Sequence, residues 1–148
     1  MKKIFILAWF FAFTVTFVLG SVLHSQFVLA DLVAIGVSIP QSVRVSAVID
    51  DLIGLLPGYG AVIALGLLLA FLLSGWLQQK LQTGSWLHVL SGFSAMLAIH
   101  ALMYPLMEIT LIASVRSFYG LLAQCIAGAV GGALFAVIVV RGRSKEKW

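Results

Sequence analysis

Four long apolar runs dominate the pattern of hydrophobic and polar positions along the chain. They cover residues 4–23, 59–77, 86–106 and 119–140, and none of them contains Asp, Glu, Lys or Arg. The hydrocarbon core of a bilayer is about 30 Å thick and needs roughly 20 apolar helical residues to cross it. Continuous apolarity also differs from the alternation of a membrane β-strand. The pattern therefore predicts an all-α integral membrane protein, with four transmembrane helices in a single four-helix domain over residues 1–148.

The connection between the first two runs, residues 24–58, predicts one further element. Residues 27–37 are apolar but too short to span, so we expect them to extend the first helix or to bend along the interface. Residues 41–56 carry an apolar stripe at helical spacing. The stripe consists of Val45, Val48, Ile49, Leu52, Ile53 and Leu56. We predict an amphipathic helix on the outer surface, stopped by Pro57-Gly58 before span 2. It would serve as a lid or spacer packed on the bundle, or as a docking surface for a partner protein or lipid.

Composition and charge give this pattern an orientation. The chain is 62% hydrophobic and 9% charged, whereas soluble domains carry roughly a quarter charged residues. One side of the predicted topology holds seven basic residues, which are Lys2, Lys3, Lys80, Arg141, Arg143, Lys145 and Lys147. The other side holds two basic residues, Arg44 and Arg116. The positive-inside rule therefore predicts that both termini are cytoplasmic, in the cell (inner) membrane. The net charge of +4 is then a topology signal, and we expect no nucleic-acid partner.

A cleaved signal peptide is the alternative interpretation of the first run. Lys2 and Lys3 would form its basic region, and Ala30 would end its cleavage site. The run of about 20 apolar residues exceeds the roughly 7–15 of a signal sequence, so we expect a retained helix. Cleavage would leave three spans.

Small residues recur every four positions in the spans and predict close helix packing, because helices in lipid gain little from hydrophobicity when they meet. The main rows contain Gly66, Ala70 and Ser74 in span 2, and Gly128, Gly132 and Ala136 in span 4. Each glycine weakens its helix unless a close contact compensates. The contact would lie within the monomer, in a homodimer or with another membrane subunit.

A group of polar residues at or near the outer half of the membrane forms the candidate site. Its members are His24, His100, Tyr104, Glu108 and Arg116. His100, Tyr104 and Glu108 are four residues apart and so share one helix face. Three interpretations are open: structural hydrogen bonds and a Glu108–Arg116 ion pair, a proton or small-solute pathway, and a metal or single b-type haem site using His24 and His100.

Other histidine and aromatic positions have simpler interpretations. His88 lies near the cytoplasmic interface, where we expect it to be exposed. His88 and His100 differ by about 120° around a helix, so the chain does not fit a two-haem site. Tyr59 and several Trp and Tyr residues lie at or near span ends, as in an aromatic belt. Cys125 is the one cysteine, and we expect it to be a buried packing residue.

The sequence carries no motif that predicts an enzyme. It lacks a Gly-rich phosphate loop, His-Glu-x-x-His, Gly-x-Ser-x-Gly and Cys-x-x-Cys. We therefore predict no catalytic residue and no cofactor. The expected function is that of a non-enzymatic accessory, assembly or interaction protein in the bilayer. A small proton-coupled transporter or channel is the first alternative, and a single-haem or metal protein is the second.

Overall fold

A computed structural model describes residues 2–107 and 117–145, with side chains for residues 2–102 and 117–142. This part of the chain is almost entirely helical and contains no strand. The helices are α1 (Lys2–Ala34), α2 (Gln41–Leu55), a π-helix (Leu56–Gly60), α3 (Ala61–Leu81), α4 (Trp86–Met107) and α5 (Phe118–Lys145). By length and composition, Lys2–Ala34, Gln41–Leu81 and Phe118–Gly142 are apolar enough to cross a membrane.

Helix α2 ends at Leu55, within one residue of the predicted end, but the prediction that Pro57-Gly58 separates it from span 2 is wrong. The backbone stays helical through a π-helical turn, with φ −56° and ψ −51° at Leu56 and φ −59° and ψ −44° at Gly60. Proline has no amide hydrogen and cannot donate a helical hydrogen bond. A π-helix pairs each carbonyl with the amide five residues later instead of four, so helical hydrogen bonding can continue past a proline. Helical structure therefore continues from Gln41 to Leu81, which is 41 residues.

The first helix also runs past the His24-Ser25-Gln26 interruption. It extends for 33 residues to Ala34, so residues 27–34 continue the helix, as the first of the two alternatives predicted. A helix of this length measures about 50 Å, well beyond the 30 Å or so of a bilayer core. The end of α1 packs against α2, and these two segments form the α1–α2 hairpin (residues 25–55).

Both ends of the described chain lie at one end of the molecule, because Ile4 packs against Gly142. The turn between α3 and α4 lies at this terminal end as well, and the α1–α2 hairpin lies at the opposite end. The exposed basic residues Lys80 and Arg141 are therefore far from the hairpin.

Helix α5 is the central packing element and makes its most extensive contacts with α4 and α1. Gly128 faces the carbonyl of Gly92, and Gly132 faces the carbonyl of His88, so closely that a Cβ atom has no room. Gly131 is pressed in the same way against α1, and Ala136 is buried. Span 2 also contacts a neighbour: a Cβ on Gly66 would lie 2.7 Å from Ile99, and Ala70 packs on the core. Small residues therefore let the backbones of α1 and α4 each approach the backbone of α5 closely.

Candidate functional site

The buried interior contains a hydrogen-bonded group that we call the polar node: the side chains of Tyr59, His100 and Gln124 and the carbonyl of Gly20. Tyr59 and Gln124 are 1% and 0% exposed, and His100 is 7% exposed. The four residues come from the π-helix, α4, α5 and α1. The node therefore joins four separate elements through side chains that lie within the apolar core.

Both ring nitrogens of His100 are engaged. Nδ1 lies 2.7 Å from the carbonyl oxygen of Met96, one turn earlier on α4, and Nε2 lies 3.2 Å from the hydroxyl of Tyr59. Because a carbonyl oxygen can only accept, Nδ1 carries a hydrogen and donates it to Met96. Nε2, the ring atom that would face a haem iron, is directed at Tyr59, so this arrangement fits a hydrogen-bonding role better than iron ligation.

The orientation of the Gln124 side-chain amide follows from the same argument. Its Nε2 donates to the carbonyl of Gly20 over 2.9 Å, which turns Oε1 toward the Tyr59 hydroxyl at 3.1 Å. Gly20 is needed here, since a Cβ on this residue would lie 2.8 Å from Oε1. The small-residue face of α1 therefore makes room for a polar side chain from α5 as well as for helix backbones.

His24 lies in a second polar group, at the base of the α1–α2 hairpin. It is half-buried on α1, one turn beyond Gly20, and interacts electrostatically with Asp51 of α2. Ser25 donates a hydrogen bond to the Asp51 carboxylate over 2.6 Å, and Arg44 donates to Gln26 over 3.4 Å. These contacts hold α2 against α1.

The remaining members of the predicted site are not placed. The side chain of Tyr104, and all of Glu108 and Arg116, lie outside the described residues. The predicted row along α4 and the predicted Glu108–Arg116 ion pair therefore stay predictions.

The sequence interpretation missed two of the three side chains of the node. Tyr59 was assigned to an interfacial belt because it begins an apolar run, but helical structure continues before it and buries its ring in the core. Gln124 is the only amide side chain in the four apolar runs. A lone amide in a lipid-spanning run needs a partner, and that signal could have identified it.

His88 is buried, contrary to the expectation that it is exposed. It is 2% exposed, its Nδ1 lies 2.8 Å from Ser74 Oγ, and its ring packs edge-on against Phe71 and Phe135. The reason is that α3 and α5 both extend past it toward the terminal end and cover it.

The two buried histidines are separated by apolar core. They lie twelve residues apart on α4, or about 18 Å along its axis. Ile63, Leu67 and Met96 belong to the intervening core and are fully buried. The polar node and the His88–Ser74 pair are thus separate polar groups at different depths, with apolar packing between them.

Over residues 2–107 and 117–145, no group of three or more His, Cys, Asp or Glu side chains is arranged to hold a metal ion. Cys125 is buried as a free thiol, as expected for a packing residue. Comparisons of the chain with family models, curated proteins and solved structures find no match.

Proposed function

We propose that this chain is a non-enzymatic accessory or assembly protein of the cell (inner) membrane, and that its α1–α2 hairpin binds another protein outside the bilayer. Three helices have the length and apolarity of membrane spans. Helix α4, with 22 residues, would supply the fourth, since it measures about 33 Å. The proposed topology places the terminal end in the cytoplasm, because the chain's basic residues concentrate there.

The observation that carries this proposal is the exposed apolar surface of the hairpin. A bilayer core of about 30 Å covers roughly 20 residues of α1, so the end of α1 and most of α2 project beyond it. The exposed large apolar residues there are Leu32, Val33, Ile35, Val37, Val43, Val45, Ile49 and Ile53. An apolar surface of this kind outside the hydrocarbon marks an interaction site.

A protein fits this surface better than a lipid headgroup layer does. Asp31 and Asp50 are exposed on the hairpin, and Asp51 follows Asp50 in the chain. These carboxylates oppose attraction to anionic lipid. A partner would cover the apolar residues and leave the acidic residues at its rim.

A site-specific photo-crosslinker distinguishes this surface from ordinary lipid-facing surface. Ile53 on the hairpin and Leu69 on α3 are matched, since both are aliphatic and are 70% and 67% exposed. With the crosslinker at position 53, we expect a discrete protein adduct in native membranes. At position 69 we expect only lipid adducts, because this residue would face the hydrocarbon. The same adduct yield at both positions, or no protein adduct at position 53, would contradict the proposal.

The mass of the adduct then identifies the type of partner. An adduct of twice the chain mass indicates a homodimer, and any other mass indicates a different subunit. Native mass spectrometry in mild detergent provides an independent check. A strictly monomeric protein without a partner in both measurements would rule out an assembly function.

A proton-coupled transporter centred on His100 and Glu108 is the second candidate, favoured by the buried polar node. It has less support because the core between His100 and His88 is apolar. It requires that His100→Ala or Glu108→Gln abolishes a flux into proteoliposomes without unfolding the protein. The absence of any proton or solute flux in the wild type eliminates this candidate.

A further inference from the structure

The polar node contains one hydrogen fewer than its geometry requires when His100 is neutral. Nδ1 of His100 gives its hydrogen to Met96, so Nε2 is an acceptor. Oε1 of Gln124 is also an acceptor, because the amide nitrogen is directed at Gly20. Both acceptors face the hydroxyl of Tyr59, at 3.2 and 3.1 Å, and this hydroxyl has a single hydrogen. One of these two contacts is therefore left without a hydrogen bond.

Other arrangements of the neutral node are worse. Moving the His100 hydrogen from Nδ1 to Nε2 places two acceptors 2.7 Å apart, at Nδ1 and the Met96 carbonyl. Turning the Gln124 amide around places two oxygens 2.9 Å apart, at Gln124 and Gly20. Both alternatives exchange a contact beyond 3 Å for a shorter repulsive one, so the missing hydrogen cannot be recovered by reorientation.

We propose that the polar node is a binding site for one proton, which His100 takes up from solvent at Nε2. The new N–H donates to the oxygen of Tyr59, the Tyr59 hydroxyl donates to Gln124 Oε1, and the Gln124 amide donates to Gly20. Each of the four contacts of the node then contains a hydrogen bond. When the proton leaves, the Tyr59 hydroxyl turns back to Nε2 and its bond to Gln124 is lost. Proton binding thus controls a link between the π-helix and α5.

The surroundings of the node make this binding reversible. An imidazolium within an apolar core is costly, and that cost opposes the gain in hydrogen bonding. Among the described residues, Cys125 of α5 interacts electrostatically with Tyr59, and His24 lies one turn beyond Gly20 on α1, where it interacts with Asp51 of α2. Lys80 of α3 and Arg141 of α5 lie at the terminal end. The site does not depend on what the α1–α2 hairpin binds.

Nitrogen-15 NMR of histidine-labelled protein in nanodiscs tests the proposal. The chain has three histidines, and the His100 signals are assigned as those missing from His100→Asn. We expect Nδ1 of His100 to stay protonated throughout a pH titration, while Nε2 changes from unprotonated to protonated as the pH falls. A His100 that keeps one protonation state across the pH range in which the protein is folded would overturn the proposal.

Gln124→Leu tests whether the node controls the titration. This variant removes the acceptor that competes with His100 Nε2 for the Tyr59 hydrogen. Neutral His100 then accepts this hydrogen bond without depriving another group, so protonation of His100 becomes less favourable. We expect the midpoint of the His100 titration to fall by about one pH unit, because this shift corresponds to the net free energy of about one hydrogen bond. Gln79→Leu, the same change at an exposed position outside the node, is the matched control and should leave the midpoint unchanged.

Tyr59→Phe completes the cycle, because it keeps the ring and removes the shared hydroxyl. In this background Gln124→Leu should no longer move the midpoint, since His100 and Gln124 communicate only through that oxygen. An equal shift in both backgrounds would show that the effect of Gln124 does not pass through Tyr59, and it would overturn the proposed hydrogen-bond reversal. Circular dichroism of each variant confirms that folded protein is being compared.

Discussion

At the scale of single residues, the sequence indicates which positions are small or polar but not which ones meet. Gly20 and Gln124 are 104 positions apart in the chain, and nothing local to either predicts their hydrogen bond. Tyr59 shows the same limit, because its position at the start of an apolar run is equally consistent with an interface and with a core. Partners at this scale depend on the rotation of each helix about its axis, which nearly uniform apolarity leaves undetermined.

Gly20→Ala should destabilise the protein by about 1–3 kcal/mol, because the new methyl group displaces Gln124 from the node and leaves buried polar atoms without partners. A Cβ at this position lies 2.8 Å from Oε1. Unfolding in mixed micelles of increasing SDS content measures the change. Gly54→Ala is the matched control, since a Cβ there meets nothing within 4 Å and alanine favours the helix by up to about 1 kcal/mol. A loss of stability in the control as large as in Gly20→Ala would contradict this explanation.

At the scale of elements, periodicity and apolarity predict the helices well and their junctions poorly. The predicted runs 86–106 and 119–140 correspond to α4 (Trp86–Met107) and to most of α5 (Phe118–Lys145). The junction at Pro57 was wrong because a local rule, that Pro-Gly ends a helix, was overridden by a π-helical turn that buries Tyr59. A turn of this type depends on what the next residues pack against, so it has no local sequence signature.

The glycines of α5 lead to a prediction at the same scale. Gly128→Ala places a methyl group against the Gly92 carbonyl, and Gly132→Ala places one against the His88 carbonyl, so α4 and α5 must separate. Overpacking of this kind costs about 1–3 kcal/mol. We expect both variants to unfold at lower SDS content than wild type, and Gly75→Ala, where a Cβ meets nothing within 4 Å, to unfold at wild-type content or above. Wild-type stability of both α5 variants would mean that these backbones are not in contact.

At the scale of the whole molecule, two helices exceed the thickness of a bilayer at the same end. Helix α1 and the continuous segment Gln41–Leu81 are both long and apolar enough to cross a bilayer, and their excess length forms the α1–α2 hairpin, held by the Ser25–Asp51 hydrogen bond. The composition of residues 24–58 indicated an additional element at this end. It did not indicate how far this element extends the helices, because that length depends on the helix continuing through Pro57.

This asymmetry predicts which parts of the chain a membrane-impermeant thiol reagent reaches. In a Cys125→Ala background, the two test positions are Ser38→Cys and Gln79→Cys. Ser38 is exposed in the connection between α1 and α2, and Gln79 is exposed at the terminal end. The positive-inside rule predicts that the terminal end is cytoplasmic, so we expect Ser38→Cys to be labelled in intact cells and Gln79→Cys only after the membrane is opened. Labelling of both variants after opening serves as the control for reactivity. The reverse pattern in intact cells would invert the topology and place the hairpin, with its proposed partner, in the cytoplasm.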